Sequence, residues 1–203
     1  MAFPRLPRVA EHGLVHLKSG ELAYLNLRFD RKGKQKFAME DMAQITGQLT
    51  ENKYRSSAER IAKAILKHCS FAGNDLLRFW EQLVFSFLTG NSDMHLKNFA
   101  LLSQAGSTQL SPAYDLLSTQ LLLPDDREEC ALPLRGKKSR LNRNDFFDFG
   151  RQFGLTDTSM KRVLNRWVPS VSSLFELIQN SFLSPELKGQ LAELIMARLD
   201  RLQ

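Results

Sequence analysis

Apolar positions recur along this chain with two periods. Residues 12–17 alternate loosely, Lys18-Ser19-Gly20 supplies a turn, and residues 21–29 run on, which predicts an antiparallel hairpin. From Met39 the period lengthens to that of helices. Met39, Met42, Ala43 and Gln44 predict a short helix with Glu40 and Asp41 in its first turn and Gly47 at its end. Ser56-Ser-Ala-Glu59 spells a capping box, opening a helix with Ala58, Ile61, Ala62, Ile65 and Leu66 on one face. Asn74 is the expected cap of the next helix. There the apolar positions from Leu76 to Leu88, Phe79, Trp80 and Phe87 among them, leave so little polar surface that the helix must be buried. Gly90 is its natural stop.

Two partly apolar runs, 99–103 and 108–110, flank the turn-rich Gln104-Ala-Gly-Ser107 and predict a second hairpin. Residues 131–134 read as a short strand. Residues 145–154 read as a helix with Phe146, Phe149 and Phe153 at helical spacing, and 158–180 as helical with a break at Pro169. Ser184-Pro185-Glu186 starts a final helix whose stripe is Leu187, Leu191, Leu194, Ile195 and Leu202. The expected architecture is mainly α with minor β, preceded by a Pro- and Arg-containing strap over residues 1–10.

Composition narrows the picture only a little. With 203 residues, 43% of them hydrophobic and 25% charged, the chain can bury a core as one domain or a domain and a half. A net charge of +6 and a pI of about 9.5 favour acidic partners such as a nucleotide or nucleic acid, unless the cations only solvate the surface. Cys69 and Cys130 make no paired motif, and Cys69, at a helix end, reads as a buried small residue. No long apolar core marks the start, and the apolar runs are far too short to span a bilayer, so a reducing cytoplasm and no membrane partner are expected. His12, His16, His68 and His95 form no zinc motif, and no G-x-S-x-G elbow is present.

The candidate chemistry gathers between Gly90 and Leu102. Asp93 and Asn98 stand in the D-x-x-x-x-N spacing of a protein-kinase catalytic loop, where the Asp takes the acceptor's proton and the Asn holds magnesium. The predicted hairpin after Phe99 would return Asp115 to Asn98, as kinases return a second metal-binding acid.

At these residues a family resemblance emerges. Asn91-Ser-Asp93-Met-His95-Leu-Lys97-Asn98-Phe99 with Pro112-Ala-Tyr114-Asp115-Leu-Leu-Ser118 closely resembles the HipA-like serine/threonine kinases of toxin–antitoxin systems. Arg28-Phe29-Asp30-Arg31 looks like that family's segment after the interlobe hinge. Leu134-Arg-Gly136-Lys137-Lys138 and Arg143-Asn-Asp145-Phe146 look like its C-terminal region. The resemblance implies the helical C-terminal lobe of a protein-kinase-like fold over residues 31–203, and the last strands and hinge of the N-terminal lobe over residues 1–30. It implies ATP as co-substrate, Mg2+ on Asn98 and Asp115, Asp93 as base, Phe29 against the adenine and Asp30 toward the ribose. His95 would hold the loop or bond Asp115, and Lys97 would neutralise phosphate charge. The implied partners are a helix-turn-helix antitoxin, through which DNA is met indirectly, and a protein substrate such as an aminoacyl-tRNA synthetase.

Against the pattern, residues 1–27 contain no glycine-rich loop, and Lys18 lies in a turn rather than on a strand. Three explanations stay open: a truncated chain, a split kinase completed by a partner that supplies the N-terminal lobe, or a pseudokinase that only binds. A non-catalytic module acting with a DNA-binding antitoxin is the alternative function, with the basic segment 135–143 against phosphates.

Overall fold

The computed structural model describes residues 8–167 and 171–203. Its strands are β1 (His12–His16), β2 (Leu22–Asn26), β3 (Arg31–Lys32), β4 (Gln35–Lys36), β5 (Ala38–Asp41), β6 (Ala100–Gln104) and β7 (Ser107–Leu110). Its helices are α1 (Met42–Ile45), α2 (Ala58–His68), α3 (Ala72–Thr89), α4 (Thr119–Leu122), α5 (Arg143–Gln152), α6 (Asp157–Trp167), α7 (Val171–Gln179) and α8 (Pro185–Asp200). Two 3-10 turns, Thr50–Asn52 and Leu96–Asn98, lie between them. The architecture is mainly α with minor β. The strands make two antiparallel hairpins, β1–β2 and β3–β4, and one sheet in the order β5-β6-β7. None of the described helices is long and apolar enough to cross a membrane.

The buried helix that the sequence predicts is α3, and it is the spine of the molecule. Phe79, Trp80, Val84 and Phe87 are fully buried along it, and α2, α5, α6 and α8 pack around it. Each such side chain stabilises the fold by roughly 1.5–3 kcal/mol relative to exposure. Trp80 keeps its polar end satisfied by donating Nε1–H to the Phe146 carbonyl at 2.8 Å. Gly150 lets α5 approach α6, because a Cβ there would sit 2.2 Å from Met160 Sδ. Phe79 meets Phe99 edge-on at 5.1 Å, so the helical core continues directly under β6.

Several local expectations give way to tertiary packing. Residues 38–41 form β5 rather than a helical turn, because β6 lies alongside and pairs Met39 with Leu102. Asp41 becomes the cap: its carboxylate accepts from Gln44 N at 2.9 Å, and Gln44 Oε1 accepts from Asp41 N at 2.9 Å. The capping box at Ser56 does not form. Ser57 is the N-cap without a side-chain bond, and Glu59 instead accepts the Arg135 N–H at 2.7 Å. α3 begins at Ala72, before Asn74, and α5 begins at Arg143 behind an Asn142 cap. Residues 131–134 make no strand. Ala131, Leu132 and Leu134 are buried as loop, with a single bridge from Leu134 to Lys137. Residues 1–7 of the expected strap and the break at Pro169 lie outside the described residues. Residues 8–10 do act as a strap: Ala10 N donates to the Ala113 carbonyl at 2.9 Å, and Ala113 N donates to the Arg8 carbonyl at 2.7 Å.

Candidate active site

The site begins where α3 stops. Gly90 takes a left-handed φ of +73°, and a Cβ on it would lie 2.5 Å from Leu194 Cδ2 on α8. Glycine is required there for the turn and for the close approach alike. The polar residues 91–98 then cross the end of the helical core. Asn91 accepts Asp93 N–H at 3.2 Å and donates to the Asp115 carbonyl at 3.2 Å. Ser92 N–H donates to Thr119 Oγ1 at 2.8 Å, and Ser92 Oγ donates to Asp126 at 3.0 Å. These bonds tie the loop to the segment that follows Asp115.

His95 is buried and serves the loop's own geometry. Its Nδ1 accepts the Lys97 N–H at 3.3 Å, and Asn98 Oδ1 accepts the His95 N–H at 3.2 Å, closing the turn Leu96–Asn98 from both ends. Burial, helped by the Lys53 charge and opposed by Asp93, lowers the His95 pKa. A neutral ring is what an accepting Nδ1 requires.

The predicted hairpin is β6–β7, in register from Leu101 with Leu110 to Gln104 with Ser107. It returns the chain to Ser111, whose carbonyl accepts from Arg78 at 3.0 Å; Arg78 is itself paired with buried Asp75 at 2.7 Å. Two residues past Ala113, which the strap holds, Asp115 is set at a left-handed φ of +58°. Only a few per cent of non-glycine residues adopt such a φ, and outliers of this kind concentrate at functional sites. There Asp115 Oδ2 accepts the Asn98 Nδ2–H at 2.5 Å, across 17 positions of sequence. Asn98 is buried and Asp115 exposed, so the pair presents a carboxylate to solvent from a fixed support.

Asp115 and Asn98 offer oxygen donors of the class magnesium prefers, although Asn98 Oδ1 here accepts the His95 N–H and its Nδ2 faces Asp115. A carboxylate and an amide oxygen are hard oxygen ligands, and magnesium is commonly held by one or two carboxylates together with substrate phosphates. Among the described residues no group of three or more His, Cys, Asp or Glu is placed to hold a metal ion.

Residues 28–30, expected to follow the hinge, also converge on this region. The Phe29 ring lies 5.7 Å from the ring of Tyr114, which precedes Asp115 and donates its hydroxyl to the Lys97 carbonyl at 2.7 Å. Asn26, Leu27, Arg28, Phe29, Asp30, Met39 and Tyr114 line an open cleft of about 580 Å³. Asp30 is held by Arg28 through bonds of 2.8 and 2.5 Å, with Arg31 farther off at 4.0 Å. The Arg28 hydrogen bond keeps its carboxyl below the usual range. A larger cleft of about 990 Å³, lined by Tyr114 and Asp115 as well, lies between β2, α3, α7 and α8.

Tyr54 escaped the sequence reading, and Tyr114 stood in the family motif without a role. Tyr114 stands beside Asp115 and could have been suspected from that. Tyr54, whose hydroxyl donates to Asp93 Oδ1 at 2.7 Å, comes from 39 positions away and carried no signal. The basic segment 135–143 is largely engaged within the fold. Lys137 pairs with Asp145 at 2.7 Å, Lys138 with Glu128 at 2.9 Å, Arg135 with Asp148, and Arg143 donates to the Leu202 carbonyl at 2.8 Å.

A buried central helix, a polar loop at its end and a hairpin that carries an acid back to that loop define a protein-kinase-like lobe. Two solved structures share this arrangement over 96% of the chain. HipA from the Shewanella oneidensis MR-1 toxin–antitoxin complex of HipA, HipB and operator DNA matches with a TM-score of 0.74 at 18% identity, across 51% of its own length. The Helicobacter pylori proinflammatory kinase CtkA matches with a TM-score of 0.65 at 19% identity, across 74% of its length. At such identities the likeness establishes the fold. The sequence profile of the HipA-like C-terminal domain matches residues 7–175, and the chain belongs to that family. Among curated proteins, "Putative kinase Y4dM" of Sinorhizobium fredii is 43% identical over 93 residues, 45% of this chain and 22% of that protein. A "Putative kinase" of Haemophilus influenzae is 27% identical over 204 aligned positions, 86% of this chain and 58% of that protein. The chain thus spans less than two thirds of the length of either curated relative.

Proposed function

We propose that the chain is the catalytic lobe of a HipA-like serine/threonine kinase, which transfers the γ-phosphoryl group of ATP to a protein hydroxyl. The observation that carries this reading is the meeting of Asn98 and Asp115 at 2.5 Å, on the same loop support as Asp93. Asp93 accepts the proton of the attacking hydroxyl, and Asn98 and Asp115 hold Mg2+. The metal, when bound, neutralises charge developing on the transferring phosphoryl group. Phe29 and Tyr114 face the cleft that suits an adenine, with Asp30 at its rim for the ribose. His95 shapes the loop, and Lys97 stands one position before Asn98 as a neutralising cation for phosphate. In this reading residues 1–30 are the last strands and hinge of an N-terminal lobe and 31–203 the helical lobe. A partner or a preceding segment supplies the phosphate-gripping part. The toxin role, a helix-turn-helix antitoxin as partner and a translation factor such as an aminoacyl-tRNA synthetase as acceptor follow from the HipA likeness, and cytoplasmic action goes with them.

The second reading is a binding-only lobe that docks on an antitoxin. It is favoured by the likeness to the Shewanella oneidensis HipA seen in complex with HipB and operator DNA. Calorimetric titration of magnesium–ATP into the chain and its Asp115→Asn variant separates the two. Binding that the variant loses supports the kinase. Equal binding would take Asp115 out of the metal site, and no binding in either would rule out a self-sufficient kinase and leave a lobe completed by a partner or the docking module.

A further inference from the structure

Asp93 has a partner that phosphoryl transfer does not call for. Tyr54 follows the turn Thr50–Asn52 and donates its Oη–H to Asp93 Oδ1 at 2.7 Å. Its ring stands edge-on to His95 at 5.0 Å, with Lys53 Nζ 5.0 Å above it. The Lys53 carbonyl accepts the Leu96 N–H at 3.2 Å, so main chain and side chain both tie residues 53–54 to the catalytic loop. Yet Tyr54 is 43% exposed, and burial therefore does not explain its position. A general base must lie about 2.6–3.2 Å from the atom whose proton it removes. The Tyr54 hydroxyl already meets that condition and fills the place of an acceptor. The hydrogen bond to Asp93, followed by burial, pushes the Tyr54 phenol up to about 12, so it keeps its proton at neutral pH and remains a donor.

We infer that Tyr54 guards Asp93: its hydroxyl occupies the acceptor place until a docked protein hydroxyl displaces it, and until then it keeps water from being activated. The inference rests on the reading of Asp93 as the base. A docked substrate brings its hydroxyl to the site with binding energy from its remaining surface, whereas a water molecule has none to set against the phenol's charge-assisted bond. Tyr54 is then a positioning residue that sets acceptor specificity. The reaction it suppresses is hydrolysis, in which the oxygen of water bonds to the γ-phosphorus, the bond to the β-phosphate oxygen breaks, ADP leaves and the water proton passes to Asp93.

The test uses the whole chain with magnesium–ATP and no protein acceptor. Wild type, Tyr54→Phe, Asp93→Asn and the double variant are compared for ATP hydrolysis and, by calorimetry, for nucleotide binding. Tyr54→Phe should raise the hydrolysis kcat by about tenfold or more, with nucleotide Kd unchanged, and the double variant should lose that gain. A merely structural tyrosine would leave kcat level or lower it, which overturns the guard. Phosphate found on Tyr54 by mass spectrometry also overturns it, by making the residue the acceptor. Nucleotide binding with a flat kcat response sinks the guard alone, whereas no nucleotide binding sinks the self-sufficient kinase and with it the guard in this chain. Ultraviolet titration gives a readout free of turnover: in Asp93→Asn one tyrosine should move from about 12 toward the ordinary value near 10. A phenol that does not move means the bond is not held in solution, which removes the premise.

Discussion

At the scale of single residues the site depends on a few backbone choices as much as on its acids. Asp115 holds its left-handed φ where the Arg78 anchor at Ser111 and the strap at Ala113 fix the chain just before it and Asn91 binds its carbonyl. Asp93→Asn keeps the shape of the loop but cannot take a proton, so phosphoryl transfer should fall by about 10²–10⁴-fold while magnesium–ATP binding persists. Loss of binding together with transfer would place Asp93 among the ligands instead. Gly90→Ala tests the support beneath. The methyl group meets Leu194 on α8 at a φ that L residues disfavour, so stability should drop by about 1–3 kcal/mol in urea titration. An unchanged midpoint would mean that α8 yields at no cost and does not fix the turn.

At the scale of elements, α8 is held to the loop region by a buried charge network. Arg198 donates to the Phe87 carbonyl at 2.5 Å and to Gln120, beside the Thr119 that holds Ser92. Glu129 receives Arg201 at 2.6 and 3.0 Å and the Leu141 N–H at 2.8 Å. Burial pushes the Glu129 carboxyl up, but the Arg201 and Leu141 hydrogen bonds and the Arg198 charge outweigh it and leave the pKa lowered. A lowered folded value means that the unfolded chain binds the proton more readily. The stabilisation is therefore present above the unfolded value of about 4.3 and is lost as pH falls through the folded one. Glu129→Gln leaves two arginines poorly compensated and should cost about 3–5 kcal/mol at neutral pH, with a flatter acid limb in thermal melts. A variant as stable as wild type, with the same acid limb, would show that the network contributes nothing. None of this network was legible in the sequence, because its members lie far apart along the chain. The helices were, because apolar residues dominate α3 and recur along the last helix, and a glycine or proline stands at their ends. The β6–β7 hairpin and the return of Asp115 to Asn98 were legible for a similar reason: two apolar runs around a Gly-Ser turn admit few other arrangements. What failed was decided by remote partners. Residues 38–41 pair with β6, Glu59 is taken by Arg135, and Tyr54 reaches Asp93, and no local pattern encodes these meetings.

At the scale of the whole molecule, the helical body and the β1–β2 hairpin differ in how they are held. The body has one continuous core, whereas β1 is exposed throughout and β2 nearly so, with Leu14, Leu22, Leu25 and Leu27 between 42% and 62% exposed. Among the described residues β1 and β2 pair only with each other. A two-stranded hairpin is marginal by itself, and an unpaired apolar edge invites a further strand. This asymmetry suits the proposal that residues 1–30 are the seam at which an N-terminal lobe joins. Native-state hydrogen exchange measures it directly. In the isolated chain the amides of β1 and β2 should exchange through local opening, while those in the middle of α3 should wait for global unfolding, on the order of 5–15 kcal/mol. A partner that completes the sheet should slow exchange at Leu14 and Leu25 and leave α3 as it was. Hairpin amides protected as strongly as α3 in the free chain would make β1–β2 part of the same cooperative unit, and the seam would have to be sought elsewhere.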